Sequence, residues 1–308
     1  MAFSDVRGQD RPAALLARTL EKGRIPSALL FHGPEGVGKT MMAVEFAKAI
    51  LCEGRPMDPA GCCGSCHSCA SAAKNVHPDL KLVNAMYQAA LREEDPAKQK
   101  TLRVDTIRHL RKDMEFGSMM GSWKVAVLAA AHTMEIAGAN ALLKIIEEPP
   151  PKTLWILVAS RKEALPGTVR SRSFPVHFNP LQPSVVRGIL VEQGIEGRQA
   201  SALSEVCDGS VSRALELHEA GLPGPDLDPF DAAAGLPREL YLARAKVELS
   251  IFCLEQSLRL RLERGSVRYT RAAPALESLT NLRRDLRANA DPGTILTLAH
   301  LAVERTDT

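Results

Sequence analysis

Eight residues, GPEGVGKT, run from Gly33 to Thr40 and fill the spacing G-x-x-x-x-G-K-T completely. That spacing serves phosphate chemistry. Gly33, Gly36 and Gly38 let backbone N–H groups close on an anion. Lys39 would reach the β and γ phosphates of a nucleotide, and Thr40 would ligate magnesium. A second set is made of sulfur. Cys52 is followed by Cys63, Cys66 and Cys69 in two C-x-x-C steps. Four thiolates so spaced suit tetrahedral zinc in a closed, structural site. Cys62 is an alternative to Cys63, and His67 a minor one. Gly61 and Gly64 permit the tight turns.

Hydrolysis of a nucleotide needs an acid to hold magnesium and a group to orient water. The segment KVAVLAAAHTM, residues 124–134, is the strand that should end in such acids, and it contains no Asp or Glu. It ends in Ala129, Ala130 and Ala131. Glu135 comes later, at the following helix. His132 reads as structural, as a lone histidine at a strand–helix turn usually is. The residues therefore predict a loop that can bind nucleotide and turns it over poorly. Arg170 and Arg172, in TVRSRSF, stand just before a short strand. An arginine there is either surface charge or a finger reaching a phosphate on a neighbouring subunit.

These groups need a frame. SALLFH, KVAVLA, TLWILVAS and FPVHF read as strands, and residues 11–22, 40–49, 102–116 and 135–148 carry helical spacing. Alternation of the two predicts an α/β domain with a parallel sheet covered on both faces. After Pro180 the pattern is purely helical. The stretch 221–237 is dense in Pro, Gly and Asp and reads as a linker. Cys207 and Cys253 read as small core residues.

Composition sets the outer bounds. The chain has 308 residues, 24% charged and 45% hydrophobic, which fits an ordinary globular protein of two or three domains. Aromatic residues make up 4%, too few for base stacking to dominate nucleic-acid contact. The net charge of +3 does not by itself imply DNA binding. No apolar run approaches membrane-spanning length, and MAFSDVRGQD, with Asp5 and Asp10, lacks a signal-like apolar core. Cytoplasmic location is expected, and clustered cysteines in a reducing compartment favour metal over disulfides. A zinc-dependent DNA-binding module is a weaker reading, since only Arg55 and Lys74 lie close to the cysteines.

Several stretches together resemble one family. They are DVRGQ, RIPSALLFHGPEGVGKT, the four-cysteine insertion, HPDL at 77, VDTIRHLRK, ANALLKIIEEPP and LPGTVRSRS. The chain resembles the clamp-loader subunits of bacterial DNA polymerase III, of the AAA+ class. The resemblance implies an AAA+ P-loop domain over 1–180 with a zinc insertion at 52–69. It further implies a helical lid over 181–222 and an all-α collar, used in oligomerisation, over 238–308. The gamma/tau motors of such loaders carry an Asp-Glu pair where Ala129 and Ala130 stand, and a lid arginine where Ser212 stands beside Arg213. Both departures point to the delta prime type, with a gamma/tau motor as the alternative. The implied role is that of a non-hydrolysing stator, with Ser171 and Arg172 completing the ATP site of a neighbouring motor. The family usually ends that motif in Cys, and Ser173 replaces it here. Implied partners are gamma/tau and delta subunits, with the sliding clamp and primer-template DNA met through the assembled complex. Implied cofactors are structural zinc and bound, poorly hydrolysed ATP.

Overall fold

The computed structural model of the chain describes residues 3, 6–54, 61–99, 101–120, 123–222 and 233–306. Asp5, Arg55 with the rest of 55–60, and positions 223–232 of the expected linker lie outside the described residues. The chain divides into two compact units, 1–180 and 181–308. Among the described residues no helix is long and apolar enough to cross a membrane.

The first unit is built on five parallel strands: β1 (Ala28–His32), β2 (Leu80–Val83), β3 (Lys124–Leu128), β4 (Thr153–Ala159) and β5 (Phe174–His177). Their order in the sheet is β2-β3-β4-β1-β5. The three inner strands are continuous apolar runs because both of their faces are covered. On one face Leu30, Leu128, Trp155 and Leu157 pack with residues of two helices, α5 (Val104–Glu115) and α6 (Ile136–Glu147), in one core. Helix α2 (Lys39–Leu51) lies along β1, β3 and β4. The α/β expectation holds. The remaining helices of this unit are α1 (Asp10–Glu21), α3 (His67–Ala73), α4 (Ala85–Arg92) and the short α7 (Gly167–Ser171).

Strand β2 is an addition to the four strands legible in the sequence. It is four residues long, sits at the sheet edge and carries Lys81 and Leu82 only half-buried, so it lacks the apolar run that marks its neighbours. Strand β5 forms the other edge and contains Pro175, a residue that sheets accept at edges.

The second unit is all helix: α8 (Pro183–Glu192), α9 (Gly197–Val206), α10 (Val211–Glu219), then the longer α11 (Leu240–Glu263), α12 (Tyr269–Arg287) and α13 (Pro292–Glu304). The last three share a core of Val247, Ile251, Leu279, Leu282, Ile295 and Leu296. Cys207 and Cys253 are buried, as expected of small core residues.

The junction of β1 with the loop that follows it leaves no room for a side chain. Gly33 has φ +143°, and a Cβ there would lie 2.1 Å from the backbone oxygen of Phe178. Beside it the Phe178 N–H donates to the His32 carbonyl at 2.8 Å, which holds the two strand ends together at this point. Replacing Gly33 with Ala should therefore destabilise the first unit by about 3 kcal/mol, the upper range for forced overpacking. Urea unfolding followed through the buried Trp155 would measure the loss.

Candidate functional site

The loop and the alanine turn follow the carboxyl ends of β1 and β3, whereas the basic motif stands just before the amino end of β5. The phosphate-type loop begins at the close contact just described and ends at the N-terminus of α2. Gly38 has φ +94° as the N-cap of that helix, and no side chain caps it. The first N–H groups of α2 are thus left facing the loop, where the helix dipole favours an anion. Val6 packs so closely on Gly38 that a Cβ would meet its Cγ1 at 2.8 Å.

Lys39 folds back into its own loop. Its Nζ donates to the Gly33 carbonyl at 2.8 Å and also to the Pro34 carbonyl. Burial pulls the Lys39 ammonium down from its ordinary 10.5 to about 8, with Glu35 opposing the shift. Thr40 is half-buried one residue on. A residue not singled out by chemistry in the sequence holds this loop in place. Gln9 is buried, and its Nε2 donates to the carbonyls of Val37 (3.3 Å) and Asn179 (2.8 Å), while its Oε1 accepts from the Asn179 N–H. One amide therefore ties the loop to the segment after β5. Its sequence signal was its place in DVRGQ, which the resemblance alone flagged.

At the end of β3 the chain enters a turn of small side chains. Ala129 donates to Val83 O at 2.9 Å, and Ala130 takes the left-handed φ of +63°. His132 Nδ1 accepts the Ser160 N–H at 3.4 Å, so its ring proton resides on Nε2. Burial holds His132 below its ordinary value, helped by Arg161 and Lys39 and opposed by Glu35. It is thus a neutral, structural imidazole at pH 7. Glu135 does not replace the missing acids: its carboxylate accepts the Val104 N–H at 3.3 Å, capping α5.

Arg172 follows α7 as its C-cap. Its Nε pairs with Glu147 Oε1 at 2.9 Å, and a guanidinium N–H donates to the Thr168 carbonyl. Ser171 Oγ donates to the same carbonyl. Both residues are exposed, and their recorded bonds go to α6 and α7 rather than to the phosphate-type loop. An exposed pair of this kind contributes about 0–1 kcal/mol and yields easily to a stronger anion.

The sulfurs converge. Ligand atoms of Cys52, Cys63, Cys66 and Cys69 all lie within 4.8 Å of one another, a group that could hold a metal ion. Cys63 Sγ and Cys69 Sγ are 3.9 Å apart. A zinc ion bound at about 2.3 Å spaces tetrahedral sulfurs by about 3.8 Å. Gly64, at φ +73°, makes the turn between the paired cysteines. Backbone N–H groups point at the sulfurs: Cys63 to Cys52, Cys66 to Cys63 and Cys69 to Cys66, at 3.3 to 3.4 Å. The N–H groups of Ser65 and Cys66 bring the Cys63 thiol down to about 6. Burial pushes Cys52 and Cys69 up. Four thiolates this close ionise together only around a cation, so the donor set fits a divalent soft metal. No disulfide bridges any of the seven cysteines.

A family model described as "DNA polymerase III, delta subunit" matches residues 8–182, more than half of the chain. The chain is 35% identical over 189 residues to DNA polymerase III subunit gamma/tau of Mycobacterium tuberculosis, covering 61% of this chain and 30% of that protein. It is 32% identical over 231 residues to subunit tau of Salmonella typhimurium, covering 73% and 34%. It is 30% identical over 209 residues to subunit delta' of Bacillus subtilis, covering 68% and 59%. The match thus spans about a third of the length of the gamma/tau and tau relatives. A gamma subunit-related protein of Thermotoga maritima shares the fold, with TM-score 0.50 at 15% identity over 96% of this chain and 99% of that one.

The lowered Lys39 value has a measurable sign. Between about pH 8 and 10.5 the folded chain has released a proton that the unfolded chain retains, so this group makes stability rise with pH across that window. Comparing urea unfolding of the wild type with Lys39→Met at pH 7.5 and pH 9.5 isolates the effect. The rise should be smaller in the variant.

Proposed function

Because the chain belongs to the DNA polymerase III clamp-loader subunit family, we propose that it is a non-hydrolysing, delta'-type subunit of that loader. In this reading it helps to load the sliding clamp on primed DNA, and Arg172, with Ser171, completes the ATP site of a neighbouring motor subunit. The observation that carries the reading is the turn after β3. Where magnesium and water need carboxylates, the chain has Ala129 and Ala130, with His132 neutral and Glu135 engaged on α5.

The remaining parts follow from this reading. Residues 181–222 serve as the lid and 238–308 as the collar through which the ring assembles. Cys52, Cys63, Cys66 and Cys69 hold a structural zinc. Gly33, Gly36, Gly38, Lys39 and Thr40 cradle ATP without turning it over quickly. Gamma/tau and delta subunits are the partners, and clamp and DNA are met by the assembled ring, chiefly through phosphates.

Two observations favour the runner-up, a gamma/tau-type motor. The phosphate-type loop is complete, and the identity to the Mycobacterium tuberculosis gamma/tau protein reaches 35%. Two measurements separate the readings. Calorimetry on the purified chain should show ATP binding that requires Lys39 and weakens above pH 8, as its ammonium is lost, while steady-state ATPase stays below about 1 per second. Turnover at or above that rate, dependent on Lys39, would establish the motor. In the reconstituted loader, Arg172→Ala should leave assembly intact and slow the facing ATP site by about a thousandfold, the scale of an arginine finger. Unchanged DNA-stimulated turnover would remove Arg172 from that role.

A further inference from the structure

Behind the four cysteines runs a chain of buried hydrogen bonds that ends at an exposed apolar loop. Ser68 lies between Cys66 and Cys69 and is buried. Its Oγ donates to Glu53 Oε1 at 2.9 Å, next to Cys52, so it ties together the two arms that carry the sulfurs. The same Oγ meets His77 Nε2 at 3.0 Å. The direction of that bond is fixed from the far side. His77 Nδ1 accepts the Asp79 N–H at 3.0 Å, which leaves the ring proton on Nε2 to be donated to Ser68.

Asp79 is fully buried, and its carboxylate is spent on one loop. Oδ1 accepts the Met119 N–H at 2.8 Å, and Oδ2 accepts the Met120 N–H at 2.9 Å and the Ser118 hydroxyl at 2.8 Å. The Asp79 carbonyl is pinned by the Val125 N–H at 2.8 Å, and the bond to His77 holds the preceding peptide; together the two orient the Asp79 Cα and thereby its carboxylate. The loop so held, 116–120, presents Phe116, Met119 and Met120 to solvent. Three apolar side chains in that position gain nothing from water, and three charge-assisted bonds to one buried acid keep them there.

We infer that the four-cysteine site sets the placement of the 116–120 loop through the relay Ser68–His77–Asp79. The metal would draw the Cys52 arm and the Cys63–Cys69 arm together, which seats Ser68 against His77. His77 then holds Asp79, and Asp79 holds the loop. The link belongs to this chain's own residues and assigns the insertion a role in positioning, distinct from phosphate chemistry. It rests on the metal reading above, which the metal content of the same samples tests separately.

Hydrogen exchange on the full chain reads the relay directly, because the Met119 and Met120 amides are two of its terminal bonds. Their rates are taken relative to the amides of β4, which serve as an internal reference for global unfolding. Stripping the metal with a chelator should raise the ratio by about tenfold, the effect of losing one well-made bond. Ser68→Ala should raise it in the same way while elemental analysis still finds one zinc per chain. A ratio that stays within twofold of wild type in zinc-loaded Ser68→Ala overturns the relay, as does an unchanged ratio in the chelated wild type. Absence of zinc in the wild type would instead overturn the metal reading.

Discussion

The first unit depends on how closely two parallel strands can approach at their carboxyl ends. At Gly33 the distance leaves no room for a β-carbon against the Phe178 carbonyl. That contact decides where the phosphate-type loop starts, and Gln9 fixes where it turns by bonding both the loop and the segment after β5. Helix α2 then begins with its N–H groups uncapped. The loop is therefore a property of the sheet's topology rather than of eight residues alone. Strand β1, held between β4 and β5, delivers the loop, and Lys39 folds back to donate to the loop's own carbonyls.

Much of this was legible beforehand, for definite reasons. The inner strands announce themselves because both faces are apolar, and the loop because its glycines and lysine have few other uses. The four sulfurs were likewise legible from spacing, and the structure brings together Cys63 rather than Cys62 with Cys52, Cys66 and Cys69. Strand β2 was not legible, since four residues at an edge with an outward lysine carry almost no periodic signal. Gln9, Ser68, His77 and Asp79 were also invisible as a set. Each acts through a partner remote in sequence, Gln9 through Asn179 and Asp79 through Met119 and Met120, and single-sequence spacing holds no trace of such pairs.

The two polar clusters of the first unit follow opposite electrostatic designs. Around Lys39 a cation is buried among carbonyls and held down in pKa, so it gains by meeting negative charge. At the cysteines, backbone N–H groups already lean on the sulfurs, which gain by meeting positive charge. Helix α2 joins the two, with Lys39 at its start and Cys52 as its C-cap. Its dipole has the matching sense only at the loop; at the sulfur end the N–H groups of the turn must supply what the helix terminus opposes.

The outer edge of the sheet bears on how such chains can stand side by side. On β5 the Phe178 N–H points inward to His32, so by alternation the outward positions are 175 and 177. Position 175 is proline and offers no hydrogen there. A foreign strand arriving at this border would find only half of the donors it needs. A sheet that continued across this border would be weakly held, so the strand protects the edge against pairing with another chain and leaves contact there to side chains.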